Sequence, residues 1–129
     1  MRKMIGSMAC AMLLLALVAA AGRDRFEGKW TVTVTPDDGG KSYEDTLTFK
    51  GGKFTSQSGK GHGFAEAEYE ADTRGGQIST FTATAKSAKE GSTKWTGTMA
   101  ATQIQGTFTW TKADGSTANF SFMGARAEK

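Results

Sequence analysis

The sequence predicts an all-β domain, an eight-stranded antiparallel up-and-down barrel that follows a cleavable leader. Three observations carry that expectation. Eight short runs alternate apolar and polar residues with a period of two, the pattern of strands with one face buried. Turn-forming links join successive runs, among them Gly51-Gly52 and Asp114-Gly115. The chain is rich in Gly and Thr, which makes a poor helix composition.

The first strand is expected over residues 29–35, with Trp30, Val32 and Val34 on one face and threonines on the other. The second covers 45–50 and turns Leu47 and Phe49 inward. The third covers 53–58 and leads with Phe54. The fourth, 63–71, places Ala65, Ala67 and Tyr69 inward and Glu66, Glu68 and Glu70 outward. The fifth, 77–86, carries Phe81, Ala83 and Ala85, and the sixth, 92–99, carries Trp95 and Met99. The seventh, 103–112, contributes Ile104, Phe108 and Trp110, and the eighth, 117–123, Phe120 and Phe122. Residues 35–44 and 58–63 read as loops. Short links between successive strands favour a meander. Closing eight such strands removes the exposed sheet edges. A two-sheet β-sandwich remains the alternative, because periodicity does not separate the two. The outward residues are mostly Thr, Lys, Glu, Gln and Ser, whereas a membrane barrel carries an apolar band outside.

The chain begins MRKMIGSMACAMLLLALVAAAG. A basic start, an apolar run and three small residues are the three parts of a secretory signal peptide. The apolar run is shorter than the ~20 residues a membrane-spanning helix needs. Residues 1–21 therefore read as a leader and 22–129 as one barrel domain, secreted or periplasmic, with no stable membrane insertion after cleavage. The chain has 16 Lys+Arg and 13 Asp+Glu, so loss of Arg2 and Lys3 brings the net charge to about +1. No basic stripe remains to serve as a nucleic-acid footprint. Cys10, the single cysteine, leaves with the leader, and the mature chain then has no thiol for a disulfide, a nucleophile or a metal.

No catalytic or metal constellation is legible. His62 lies in GKGHGF without a recognisable nucleophile or carboxylate partner and reads as an exposed loop residue. The glycines around it precede a strand rather than the helix a phosphate loop requires. The glutamate ladder at 66, 68 and 70 reads as a solvated face, with Lys53 or Lys86 as neutralising neighbours. Asp37-Asp38 reads as a turn. The expectation is a non-enzymatic protein without catalytic residues, metal or cofactor.

An eight-stranded interior either packs solid or holds one small ligand. Ten of the 13 aromatic residues fall on the inward phase, which argues for filling, at ~150–250 Å² buried per ring. Ala65, Ala67, Ala83 and Ala85 on adjacent strands argue for a small apolar pocket instead, rimmed by Tyr69, Trp95 and Trp110. The two function classes follow from that choice. One is a binder of a small apolar ligand. The other is a solid-core, envelope-associated interaction or inhibitor-like module with an unidentified protein partner.

Gly28-Lys29-Trp30, opening the first strand of an eight-strand meander, resembles the start of the lipocalin and calycin pattern. The resemblance implies a cup for a small hydrophobic molecule. It also implies that Trp30 closes one end and that Arg126, beyond the last strand, stacks over it as a cation–π partner. The chain is similar in size and expected location to secreted metalloprotease-inhibitor barrels too. Those act through an N-terminal arm, for which residues 22–27 are the short stretch available here.

Overall fold

The computed structural model describes residues 25–74 and 76–127. The leader expected at 1–21 lies outside the described residues. The strands are β1 (Gly28–Pro36), β2 (Tyr43–Lys50), β3 (Lys53–Ser56), β4 (Ala67–Asp72), β5 (Ile78–Ser87), β6 (Gly91–Ala100), β7 (Gln103–Thr111) and β8 (Thr117–Arg126). A single helical turn, α1 (Gln57–Gly61), separates β3 from β4. Every strand pairs antiparallel with its sequence neighbour, and β8 returns to pair with β1, so the sheet is a closed barrel in sequence order. The sandwich alternative is therefore set aside.

Closure is set by the seam between first and last strands. Its register runs from Trp30 opposite Arg126 to Pro36 opposite Phe120. The strands approach closely there. A Cβ at Gly124 would collide with the carbonyl oxygen of Thr31, so glycine is what lets β8 lie against β1.

The alternation expected from the sequence holds along most strands. Trp30, Val32 and Val34 are buried on β1, Leu47 and Phe49 on β2, and Phe81, Ala83 and Ala85 on β5. Two elements differ from the expectation. The third strand stops at Ser56 because the Ser56 side chain accepts a hydrogen bond from the Gly59 amide at 3.0 Å and caps α1, where a loop was expected. The fourth strand begins at Ala67 rather than 63. Phe64 turns inward, 9% exposed, while Ala65 and Glu66 are both exposed, so the strand phase breaks between them. Burying a Phe ring outweighs regular strand pairing over the four residues 63–66.

One end of the barrel is filled by rings. Phe26, just before β1, is fully buried and meets Phe49 and Phe81 at centroid distances of 5.3 Å. Phe49 meets Tyr69 edge-on at 4.9 Å. Below them Trp30 donates its indole N–H to the Phe26 carbonyl at 2.9 Å. The Arg126 guanidinium lies 4.2 Å from the Trp30 ring centroid and donates to the carbonyls of Glu27 at 2.7 Å and Arg25 at 2.8 Å. Tryptophan, arginine and the 25–27 segment thus plug this closed end together. Trp30→Ala removes a fully buried ring, and we expect a loss of about 3–5 kcal/mol in urea unfolding. A loss below about 1 kcal/mol would mean that the ring does not support the plug.

Candidate functional site

The opposite end of the barrel receives the β1–β2 loop, α1 and the β5–β6 and β7–β8 turns. Beneath them is an open cavity of about 380 Å³. That lies toward the small end of the ~300–1,000 Å³ usual for small-molecule sites. Its lower wall is aromatic. Trp95, Phe108 and Phe120 are directly opposite one another on β6, β7 and β8 and form a continuous stack. Their ring spacings are 4.0 Å and 4.5 Å, with interplanar angles of 20° and 9°. Phe54 completes the floor, 5.0 Å from Trp95.

The space arises from the small residues. On the next rank toward the mouth, β5 presents Ala85, β6 presents Thr93 and β7 presents Trp110, in mutual register. The alanine leaves room that a larger residue would occupy. Phe64 packs with Ala67, Ala85 and Trp110 in a cluster of its own beside the opening. Tyr43, Ser58 and His62 line the mouth.

The residues predicted from sequence divide between two regions. Trp95, Trp110, Ala65 and Ala85 line the cavity, with Ala65 on its exposed side. Ala67 belongs to the cluster behind Phe64. Tyr69 and Ala83 belong to the main core, 2% and 5% exposed, Tyr69 against Phe26 and Phe49. Trp30 and Arg126 stand at the far, closed end. The interior is therefore both filled and hollow, in different halves.

Polar groups at the cavity are mostly satisfied internally. Trp110 donates its indole N–H to the Glu90 carbonyl at 2.6 Å, and Lys112 lies 4.9 Å from the same ring's centroid. Trp95 donates to the Thr93 hydroxyl at 3.0 Å. His62 caps the C-terminus of α1, its Nδ1 3.0 Å from the Ser58 carbonyl, and its ring is exposed. The described residues hold no group of three or more His, Cys, Asp or Glu able to share a metal ion. Glu68 pairs with Lys53 across β3 and β4 at 3.4 Å on the outer face.

The mouth is held by a buried carboxylate that the sequence reading passed over. Asp45 is 5% exposed. Its Oδ1 accepts from the amides of Thr46 at 2.8 Å and Ser58 at 2.9 Å, and its Oδ2 accepts from the Ser56 hydroxyl. It therefore ties α1 to β2. The signal was present, since Asp45 shares the inward phase of Leu47 and Phe49. Thr93, likewise in phase with Trp95, was also passed over, as were Tyr43, Phe26 and Phe64.

Burial pushes the Tyr43 phenol above its usual 10, the Asp45 charge adds to the rise, and a hydrogen bond with Ser58 opposes it. The shifted carboxylates do not line the cavity, Asp72 standing at the end of β4 and Asp114 in the β7–β8 turn. Hydrogen bonds from Arg74 hold Asp72 down to about 2, and those from Ser116 lower Asp114.

Comparison with known proteins yields no matching family model, no matching curated protein and no matching solved structure. What the fold and cavity define is a class by architecture: a closed eight-stranded, calycin-like barrel plugged at one end and open at the other.

Two outcomes are expected at the mouth. Asp45→Ala strips acceptors from two amides and a hydroxyl. It should cost about 3 kcal/mol and accelerate amide hydrogen exchange at Ser58 and Gly59. Exchange there unchanged from wild type would mean that α1 does not depend on the carboxylate. For Tyr43, the folded state favours the neutral phenol, so its contribution is intact below pH 10 and falls as pH rises through the raised folded value. Urea unfolding of wild type and Tyr43→Phe should differ by a constant amount up to pH 10, after which wild type loses ground. A constant difference at higher pH would show that the phenol is solvated.

Proposed function

We propose that this chain is an exported, non-enzymatic, lipocalin-like barrel that binds one small, largely apolar molecule through its open end. The observation that carries the reading is the cavity of about 380 Å³ walled by Phe54, Trp95, Phe108 and Phe120 beside Ala85. Such a wall desolvates an apolar guest, worth ~25 cal/mol per Å² removed from water. Both cavity-lining indole N–H groups already have partners within the protein, so a guest need not supply charge to satisfy them. Export rests on the leader pattern at residues 1–21. A non-catalytic role is supported by His62, whose Nδ1 faces its own helix rather than a nucleophile.

Titrating the mature protein with an apolar fluorophore such as phenylnaphthylamine should give a saturable signal with one site per chain. Ala85→Phe places a ring in the hollow and should weaken binding at least about tenfold, with the thermal midpoint held or raised, as for other cavity-filling changes. Absence of saturable binding across a panel of apolar compounds would overturn the proposal. Unaltered binding by Ala85→Phe would place the guest elsewhere.

A further inference from the structure

Thr93 is 7% exposed and lines the cavity between Ala85 and Trp110. Its Oγ1 accepts the Trp95 indole N–H at 3.0 Å. A hydroxyl has one proton to give as well as lone pairs. Among the described residues no acceptor takes the Thr93 proton. Two other polar groups on the lining are engaged. Ser56 donates to Asp45 and accepts from Gly59, and Trp110 is bonded to Glu90, while Tyr43 and Ser58 stand at the mouth. The His62 ring is exposed.

We infer that Thr93 is a specificity-determining residue and that the preferred guest is an uncharged apolar molecule bearing one hydrogen-bond acceptor, a carbonyl or ether oxygen, placed against the Thr93 hydroxyl. This deepens the proposed ligand-binding function and rests on it. The chemistry favours an acceptor over a donor, because the oxygen already accepts one bond from Trp95 whereas its single proton has no partner among the described residues. Accepting from the indole also polarises the O–H outward and strengthens it as a donor. A charged acceptor is disfavoured, since among the described residues no Lys or Arg lines the cavity to offset its desolvation. A pure hydrocarbon would leave the hydroxyl proton buried without a partner once water is expelled.

The test is a matched pair, acetylnaphthalene and ethylnaphthalene substituted at the same ring position. They have similar shape and differ in the carbonyl. Binding is followed by calorimetry and by NMR shifts of the Trp95 and Trp110 indole N–H resonances. Wild type should prefer the ketone by roughly fivefold, the size of one net hydrogen bond. Thr93→Val should bind the hydrocarbon as wild type does and lose the preference, whereas Thr93→Ser should keep it. Equal affinity of wild type for the two compounds, or a preference that survives Thr93→Val, would overturn the inference while leaving the cavity as a binding site. If neither compound binds wild type, the ligand-binding function itself fails and Thr93 loses its role with it. Should Thr93→Val fail to fold, the wild-type comparison still decides.

Discussion

The seam where Trp30 meets Arg126 joins the first strand to the last, and the sheet is a closed wall because that seam is held. A cation over an indole contributes ~0.5–2 kcal/mol according to its desolvation. Here the same guanidinium also takes the carbonyls of Glu27 and Arg25, so one side chain fixes the seam and the segment leading into it. Phe26 is carried into the core by that segment, and the cluster of Phe49, Tyr69 and Phe81 assembles around it. The filled half of the molecule is thus organised from residues at the two extremes of the barrel sequence.

A solid half makes a hollow half affordable. Large rings are concentrated near the plug and across the middle, while the rank toward the mouth alternates Ala85, Thr93 and Trp110. The stack of Trp95, Phe108 and Phe120 lets three inward rings share one wall without reaching across the interior. Stacked side by side, they leave the space beside β5 unoccupied. The alanines alone would not hold it open. The opening is also framed by α1, which Asp45 and Ser56 anchor to β2.

Strand number, order and inward phase were legible because period-two alternation and short turns are local signals. Trp30 with Arg126 followed from the same local cues plus a resemblance. The division of the interior was not legible. Tyr69 and Trp95 have the same inward phase in the sequence, yet one faces the plug and the other the cavity. Which rank a residue occupies depends on barrel shear, a property of all eight strands together. Phe64 was hidden for a different reason. Strand phase placed it outward, and only the tertiary gain of covering Ala85 and Trp110 reverses it. Asp45 and Thr93 were in plain view by phase. An alternation read chiefly for apolar residues passes over the polar ones that share their face.

The polypeptide enters and leaves the barrel at the same pole. Glu27 and Arg126 are bonded there, and the Ala127 amide reaches the Lys29 carbonyl at 2.9 Å. The described chain therefore begins at Arg25 and ends at Ala127 on the plugged pole, and a link made at either of these residues joins the barrel on the side away from its entrance.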